Sequence, residues 1–322
     1  MATQTDIDLL MPAPMMPFVM EQLDQAFRVH KLWLAPDADA MLAEVGPRVR
    51  AIAAAGGASV TAQLMGRLPT LECVSSFGVG YDHVDARWAG AHGITVTNTP
   101  DVLTEEVADT ALALVLMAVR RLPQAERYLR AGHWLEKSYP LTSSLRDRTA
   151  GILGLGRIGK AIGHRLEACG VPVHYHGRHA QADVDYPYHA TPVDLARAVD
   201  VLVVVTPGGP GTRDLVNADV LKALGPNGIL VNIARGSVVD EAALIAALRD
   251  GTILGAGLDV FAQEPRVPQA LLDLDNTVLL PHVGSATTHT RRAMGQLVVD
   301  NLLAWAAGRP VLTPVPETQV KG

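Results

Sequence analysis

Short apolar runs alternate with longer alanine-rich stretches along the first hundred residues of the chain. The runs at 8–11, 68–74 and 94–96 have the length and composition of strands, and 37–45 and 85–91 have those of helices. Strands and helices that alternate in this way form a parallel sheet covered by helices on both faces. This part of the chain is therefore predicted to be a doubly wound, parallel α/β domain.

A second and more regular series of the same kind begins at residue 149. Its predicted strands are 149–153, 171–176, 201–205, 229–233, 255–259 and 278–280. A long apolar helix that opens at Thr104 precedes the series, and an amphipathic helix over 290–307 follows it. We expect the last helix to return to the first domain, which would then contain both ends of the chain.

These patterns predict an α/β protein of two doubly wound parallel-sheet domains, Rossmann-like and flavodoxin-like, with an active-site cleft between them. The predicted substrate-binding domain is discontinuous and consists of 1–98 and 289–322. The predicted dinucleotide-binding Rossmann domain covers 99–288. Within it, the polar stretch at about 124–144 has the composition of a loop, and we expect it to be an arm that packs on another subunit.

The composition excludes several classes of protein. The chain has 322 residues, of which 48% are hydrophobic and 19% charged, so it has ample material for buried cores. A formal net charge of −6 is opposite to the basic footprint of nucleic-acid-binding proteins, and no nucleic-acid partner is expected. The longest apolar run, 111–119, is shorter than the roughly 20 residues that span a membrane, so no membrane association is expected. The start of the chain lacks a signal-peptide pattern and its two cysteines fit buried free thiols, so a cytoplasmic location is expected.

A glycine-rich motif indicates a dinucleotide cofactor. Gly154, Gly156 and Gly159 form a GxGxxG pattern, which alone is weak evidence. Here it follows an apolar strand and opens a helix, which is the context that the motif requires. The first glycine allows the tight turn, the second lets the backbone approach the pyrophosphate, and the third lets helix and strand pack closely. The phosphates would lie on the helix N-terminus.

The residues after the next strand indicate which dinucleotide is preferred. Folds that prefer NAD usually carry an acidic residue there, bonded to the ribose hydroxyls. The segment 173–179 has no acidic residue, and Arg178 is placed to hold a 2′-phosphate through a charge-assisted fork. We predict NADPH as the preferred cofactor, with NADH possible.

Three histidines lie in the same segment and raise the alternative of a metal cluster. They are His174, His176 and His179. No cysteine or carboxylate lies at ligand spacing from them. We therefore favour a strand end beside the adenosine and predict no metal.

Arg235, Glu264 and His282, which each follow one of the last three strands, have the side chains that reduction of a keto acid requires. Ligands of doubly wound sheets bind beyond the carboxyl ends of strands, where these side chains can converge. A guanidinium can hold a carboxylate and polarise the adjacent carbonyl, and an imidazole can deliver a proton to the nascent alkoxide. A carboxylate beside the imidazole fixes its tautomer and stabilises its protonated form. We predict that all three are catalytic and that Arg235 and His282 also bind the substrate.

Six sequence blocks resemble, in order, those of the D-isomer-specific 2-hydroxyacid dehydrogenases over nearly the whole chain. The blocks are 74–82, 98–103, 154–159, 232–236, 257–261 and 281–285. Within this family the chain most resembles the NADPH-preferring glyoxylate/hydroxypyruvate reductases and the hydroxyphenylpyruvate reductases. The resemblance implies reduction of a small 2-keto acid to the D-2-hydroxy acid, with hydride from nicotinamide C4 and the proton from His282.

Further site residues and the assembly also follow from the resemblance. The backbone N–H groups of Val79 and Gly80 would bind the substrate carboxylate. Besides the three glycines and Arg178, the residues predicted to line the cofactor are Thr110, Arg157, Ile158, Gly177, His179, Thr206, Pro207, Thr212, Ile233, Ala234, Asp259 and Gly284. Because the family is dimeric through the inserted domain and its arm, we expect a homodimer.

Two alternatives stay open at this point. The first is a dinucleotide-sensing, corepressor-like binding protein of the same fold, which would turn over no 2-keto acid. The second is a reductase of aromatic keto acids such as hydroxyphenylpyruvate. Phe77 and Trp134 are candidates for residues that size the pocket, but neither decides between small and aromatic substrates.

Overall fold

The computed structural model describes residues 5–56 and 58–319. Its strands are β1 (Asp8–Met11), β2 (Arg28–Lys31), β3 (Val49–Ala54), β4 (Cys73–Ser76), β5 (Thr95–Thr97), β6 (Ala150–Leu153), β7 (Val173–His176), β8 (Val201–Val204), β9 (Ile229–Asn232), β10 (Gly255–Leu258) and β11 (Thr277–Leu279). Its α-helices are α1 (Pro17–Ala26), α2 (Ala38–Val45), α3 (Ala62–Gly66), α4 (Ala86–Ala91), α5 (Thr104–Arg120), α6 (Leu122–Arg130), α7 (Arg157–Ala168), α8 (Pro192–Arg197), α9 (Ala218–Leu224), α10 (Glu241–Arg249), α11 (Gln269–Leu272) and α12 (Thr288–Ala306).

The chain divides into two compact units. One consists of Met1–Leu103 with Thr288–Gly322, and the other of Thr104–Thr287. The predicted ranges were 1–98 with 289–322 and 99–288; residues 1–4, 57 and 320–322 of the first range lie outside the described residues. Each unit contains one parallel sheet, which confirms the predicted α/β class. The cleft between the domains stays a prediction.

The first unit has a five-stranded sheet in the order β2-β1-β3-β4-β5, with parallel pairing throughout. Neighbouring residues of a strand point to opposite faces, and here both faces are buried. Leu10 and Ile52 join the cluster on one face, whereas Leu9 and Met11 pack on the other face with α1 and α12. A sheet covered on both faces explains why the central strands β1, β3 and β4 are buried at nearly every position.

The second unit has a six-stranded sheet in the order β11-β10-β9-β8-β6-β7, again with parallel pairing. The six strands predicted after residue 149 are confirmed, with ends that differ by one or two residues. Helix α5 packs against α7, β9 and β10, and α8, α9 and α10 cover the opposite core. The strand β7 follows β6 in the chain and lies on one side of it, whereas the next strand, β8, lies on the other side. The direction in which strands are added therefore reverses between β6 and β8, and ligands of such sheets bind at this reversal.

Two predicted elements are wrong in detail. The predicted strand 68–74 begins only at Cys73, because Leu68 and Leu71 close turns that extend α3: their N–H groups donate to the carbonyls of Met65 and Leu68. Both leucines are buried, so an apolar run here reflects a buried turn and not a strand.

The stretch 124–144 is not wholly loop-like, since α6 covers its start. Pro123 lies in the first turn and Arg127 and Arg130 in the last, which are favourable helix positions for these residue types. The side-chain amide of Gln124 donates to the carbonyls of Asp275 and Thr277 and fixes the helix to its unit.

None of the described helices has both the length and the apolar stretch needed to cross a bilayer. Cys73 and Cys169 are free thiols, and burial raises the pKa of Cys73 to about 12. Cys73 is therefore a packing residue of the first unit.

Candidate active site

Six of the predicted site residues of the second unit lie in segments that follow the carboxyl ends of its strands. From one end of the sheet to the other, these segments carry His282 after β11, Glu264 after β10, Arg235 after β9, Thr206 after β8 and Gly154 after β6. Arg178 follows β7 at the far end. Parallel pairing places all these strand ends at one edge, so residues far apart in sequence share one surface.

The glycine-rich turn has the geometry that a dinucleotide requires. Gly154 has φ of +106° and lies so close to β8 that a Cβ would be 2.8 Å from the amide nitrogen of Thr206. At Gly156, in contrast, a Cβ would meet no atom within 4 Å. Helix α7 begins directly after Gly156 and has no side-chain cap, so its first N–H groups are available to phosphate oxygens.

The segment after β7 is fastened to the glycine-rich turn by a residue that sequence reasoning missed. The backbone N–H of Gln181 donates to the buried Tyr175 hydroxyl, and its side-chain amide donates to the carbonyl of Leu155, both at 2.7 Å. Between these anchors, Arg178 is exposed and forms no hydrogen bond or ion pair with any residue that the structure describes. Its guanidinium is therefore available to an anion beside the turn.

The hydroxyl of Thr206 is a second feature of this sheet edge that suits a bound ligand. Its Oγ1 atom is buried and has no hydrogen-bond partner among the described residues. Buried hydroxyls are nearly always partnered, so this atom is suited to a polar group of a bound molecule. The residues at this edge thus fit a dinucleotide with an anionic group near Arg178.

His282 and Glu264 form a hydrogen-bonded pair. Nδ1 of His282 lies 2.7 Å from Oε2 of Glu264, and the other carboxylate oxygen accepts the N–H of Phe261 at 3.0 Å. Burial raises the pKa of the Glu264 carboxyl. The hydrogen bonds from His282 and Phe261, together with the charges of His282 and Arg235, outweigh burial and leave that pKa below its usual value. An ionised carboxylate only accepts, so Nδ1 carries a hydrogen. Nε2 has no hydrogen-bond partner among the residues that the structure describes.

The turn that carries Arg235 is shaped by two neighbours. The buried Asn232 side chain donates to the carbonyl of Arg235 and accepts the N–H of Ala234, both at 3.0 Å. A Cβ at Gly236 would lie 1.9 Å from the carbonyl carbon of Phe261, so the turn touches the backbone that leads to Glu264. The Arg235 guanidinium donates to the carbonyl of Ala234 at 2.7 Å, and its charge is one of those that lower the pKa of Glu264.

The backbone of His282 is held in a left-handed conformation, with φ of +54°. Such a conformation is costly for a residue other than glycine and persists only where neighbours impose it. Here the neighbour is the buried Asp259, whose carbonyl accepts the N–H of His282 at 2.9 Å. Its carboxylate accepts the N–H groups of Val283 and Gly284 at 2.7 and 2.8 Å. Asp259 therefore fixes the loop from which the imidazole projects.

Comparison with known proteins decides the family. Residues 112–284 match the family described as D-isomer specific 2-hydroxyacid dehydrogenase, NAD binding domain. Glyoxylate/hydroxypyruvate reductase A HPR2 of Arabidopsis thaliana is 47% identical over 96% of this chain and 99% of its own length. The chain belongs to the D-isomer-specific 2-hydroxyacid dehydrogenase family.

Two other relatives of this 2-hydroxyacid dehydrogenase are similar over nearly their full length. Hydroxyphenylpyruvate reductase of Plectranthus scutellarioides is 45% identical over 96% of this chain and 99% of its own. The NADPH-dependent glyoxylate/hydroxypyruvate reductase of Sinorhizobium meliloti, solved with NADP and malonate, is 51% identical. The superposition of the two structures includes 98% of each chain and has a TM-score of 0.91.

Several predicted cofactor contacts of the dehydrogenase are occupied within the protein. The hydroxyl of Thr110 donates to the carbonyls of Glu106 and Gly284, and that of Thr212 donates to the carbonyls of Pro207 and Gly209. The remaining predicted contacts lie at strand ends or at the start of α7: Arg157, Ile158, Gly177, His179, Ile233 and Ala234. Their contacts with the cofactor stay predictions, as does lining by Asp259.

Two of the three histidines near β7, His174 and His176, have partners in the dehydrogenase. Nδ1 of His174 lies 3.0 Å from Nε2 of His189, and Nδ1 of His176 lies 2.8 Å from the carbonyl of His189. The ring of Tyr188 stacks on His176, and its hydroxyl donates to the carbonyl of Gly177 at 3.4 Å. In the part of the chain that is described, no three His, Cys, Asp or Glu side chains are grouped to hold a metal ion.

The residues proposed to size the pocket lie in different units. Phe77 follows β4 in the first unit, where the guanidinium of Arg291 lies 5.5 Å from its ring centroid. Trp134 belongs to a short 3₁₀ helix, His133–Leu135, of the second unit, and 65% of its surface is exposed. Val79 and Gly80 lie close to Phe77, in the segment that follows β4.

Proposed function

We propose that this chain is an NADPH-preferring D-2-hydroxyacid dehydrogenase that reduces a small 2-keto acid of the glyoxylate/hydroxypyruvate class. The observation that carries the proposal is the 2.7 Å pair of His282 and Glu264 with Arg235 beside it. This group stands at the same sheet edge as the glycine-rich turn. The similarity to glyoxylate/hydroxypyruvate reductases from two organisms supports the choice of substrate class.

When bound, reduced nicotinamide supplies a hydride to the carbonyl carbon of the keto acid. Arg235 binds the substrate through two N–H donors and stabilises the negative charge that forms on the carbonyl oxygen. His282 donates the proton on Nε2 to that oxygen, which completes the hydroxyl group. Glu264 keeps the imidazole oriented through Nδ1 and stabilises the protonated ring before transfer. The N–H groups of Val79 and Gly80 bind the substrate carboxylate.

The cofactor is proposed to lie along the strand ends from Thr206 to Arg178. The uncapped first turn of α7 would hold the pyrophosphate, and the buried Oγ1 of Thr206 would donate to a polar group of the cofactor. Arg178 would pair with the 2′-phosphate as a charge-assisted fork. Gln181 would keep Arg178 at a fixed distance from the pyrophosphate through its bond to Leu155.

A substrate panel tests the proposed activity. Loss of reduced nicotinamide is followed with glyoxylate, hydroxypyruvate, pyruvate and hydroxyphenylpyruvate, each with NADPH and with NADH. We expect the highest kcat/KM with glyoxylate or hydroxypyruvate and NADPH. Preference for hydroxyphenylpyruvate would move the assignment to aromatic keto acids, and no turnover with any of them would favour the corepressor-like binding protein.

Exchange of Arg178 for Asp should raise the KM for NADPH by about 10- to 100-fold, because a charge-assisted hydrogen bond contributes about 1.5–3 kcal/mol. The KM for NADH should change little, since NADH has no 2′-phosphate. The measurement is steady-state kinetics with each cofactor at saturating keto acid. Arg249→Asp, the same charge change at an exposed position at the end of α10, is the matched control. Equal effects on both cofactors would remove Arg178 from 2′-phosphate recognition.

We also propose that the protein acts as a homodimer in the cytoplasm. Three side chains of the stretch 124–144 are strongly exposed although apolar: Trp134 at 65%, Leu135 at 92% and Leu141 at 102%. Exposed apolar side chains on one segment are typical of an interface, and the two free thiols fit a reducing compartment. Sedimentation equilibrium should give twice the monomer mass, and Leu135→Glu with Leu141→Glu should shift it toward the monomer. A wild-type monomer would contradict the proposal.

A further inference from the structure

The segment that follows β4 presents two backbone donors. The N–H groups of Val79 and Gly80, which the proposed function assigns to the substrate carboxylate, find no acceptor among the residues that the structure describes. Both residues are only partly buried. Two adjacent N–H groups that point the same way form an anion-binding concavity, so their direction decides whether a carboxylate is held.

Each of the two N–H groups follows a carbonyl that is itself hydrogen-bonded: the carbonyl of Gly78 precedes the N–H of Val79, and that of Val79 precedes the N–H of Gly80. The residues that bind these carbonyls are Thr99 and Asn98, directly after β5. The N–H of Thr99 donates to the carbonyl of Gly78 at 2.9 Å, and the Thr99 hydroxyl accepts the N–H of Gly78 at 3.0 Å. The side-chain amide of Asn98 donates to the carbonyl of Val79 at 2.9 Å. Thr99 therefore fixes the orientation of the peptide plane between Gly78 and Val79, and Asn98 fixes that of the plane between Val79 and Gly80.

A trans peptide is planar, and its C=O and N–H bonds point in opposite directions. The carbonyl of Gly78 and the N–H of Val79 belong to one such plane, and the carbonyl of Val79 and the N–H of Gly80 belong to the next. With both carbonyls tied to the 98–99 segment, both N–H groups point away from it. Gly78, with φ of +141°, makes the backbone turn that brings these planes together.

The anchoring segment is itself rigid. Asn98 exchanges two bonds with Thr313: its N–H donates to the Thr313 carbonyl at 3.2 Å, and its carbonyl accepts the Thr313 hydroxyl at 2.6 Å. That hydroxyl accepts the amide of Asn301, a fully buried residue of α12, at 2.9 Å. These bonds hold the backbone of Asn98 against the core of the first unit, while its side-chain amide makes the separate bond to the Val79 carbonyl.

We infer that Asn98 is a positioning residue for the substrate: by holding the Val79 carbonyl, its amide aims the Gly80 N–H at the substrate carboxylate. This inference rests on the proposed function, because it takes a 2-keto acid as the ligand of the loop. Asn98 does not touch the substrate. Its effect is confined to substrates that carry a carboxylate next to the carbonyl.

Asn98→Leu tests the inference, because leucine has nearly the same shape as asparagine and no charge but cannot donate to the Val79 carbonyl. Loss of one aligned donor should raise the KM for glyoxylate about 10-fold, with kcat and the KM for NADPH within about two-fold of the wild type. Glyoxal, a neutral aldehyde of the same size, is the second substrate. Its kcat/KM should stay unchanged, so the preference for glyoxylate over glyoxal should fall about 10-fold.

The matched control is Thr313→Val, which removes the hydroxyl that links Asn98 to Asn301 but leaves the Asn98 amide in place. It should keep most of the preference for glyoxylate. If Asn98→Leu unfolds the protein, as judged by Tm, Asn98→Ala is measured in its place. An unchanged KM for glyoxylate, or an equal loss with glyoxal or with Thr313→Val, would overturn the inference. No turnover of glyoxylate by the wild type would instead refute the proposed function.

Discussion

Exchange of His282 for Asn should lower kcat by about 10²- to 10⁴-fold, the range that general acid catalysis contributes. Asn can still donate a hydrogen bond to Glu264, but its amide does not release a proton to an alkoxide at neutral pH. The dissociation constant of NADPH should stay the same, because the glycine-rich turn, Thr206 and Arg178, which are proposed to hold the cofactor, lie after other strands. A loss in kcat with unchanged cofactor binding is the mark of a group that acts in the transition state.

Steady-state kinetics with glyoxylate and titration of NADPH by nicotinamide fluorescence measure the two quantities separately. His164→Asn, at an exposed position of α7 in the same unit, is the control for loss of an imidazole. It should leave kcat within about two-fold of the wild type, since surface substitutions are usually almost neutral. A near-normal kcat for the His282 variant would mean that another group, or water, delivers the proton.

Exchange of Arg235 for Gln should lower kcat/KM by about 10²- to 10³-fold, because a donor aimed at developing negative charge contributes that much. Arg235→Lys keeps the charge but loses the planar fork, and it should recover only part of the activity. Binding of NADPH should again be unaffected. Arg249→Gln, on the surface of α10, is the matched control.

The Arg235 variant should also change the pH profile. The charge of Arg235 is one of the causes that keep the pKa of Glu264 low. Without that charge the pKa of Glu264 rises, so the carboxylate becomes protonated at a higher pH as the solution is acidified. The acidic limb of kcat/KM should therefore move to higher pH in Arg235→Gln than in the wild type. A limb at the same pH, with full activity, would place Arg235 outside the site.

The part of the fold that the sequence predicted best is the part with the simplest pattern. The six strands of the second unit are short apolar runs between clear turns, and each was located to within one or two residues. In the first unit, β3 has the sequence VRAIAA, which is alanine-rich and carries Arg50, so it has no strand-like pattern of its own. It is a strand because its neighbours on both sides pair with it.

The placement of Arg235, Glu264 and His282 at one sheet edge could be predicted because parallel strands bring their carboxyl ends together, a rule that needs no coordinates. The residues that orient them could not. Asp259 was expected only to line the cofactor. Its carboxylate accepts two N–H groups of the His282 loop, a role that the sequence did not indicate. Gln181 and Asn98 act through single bonds to carbonyls that are 26 and 19 positions away in sequence. Such bonds depend on loop conformation and have no periodic signal.

The order of strands along the sheet edge separates the proposed proton donor, His282, from Arg178, the residue proposed to select the cofactor. His282 follows the first strand of the row and Arg178 the last, with five inter-strand spacings of about 4.8 Å between them, about 24 Å in all. Substitutions so far apart usually combine additively in free energy. With these roles, substitutions near Arg178 can change the preference between NADPH and NADH without changing proton transfer by His282. Substitutions near His282 can likewise change proton transfer without changing the preference for one coenzyme.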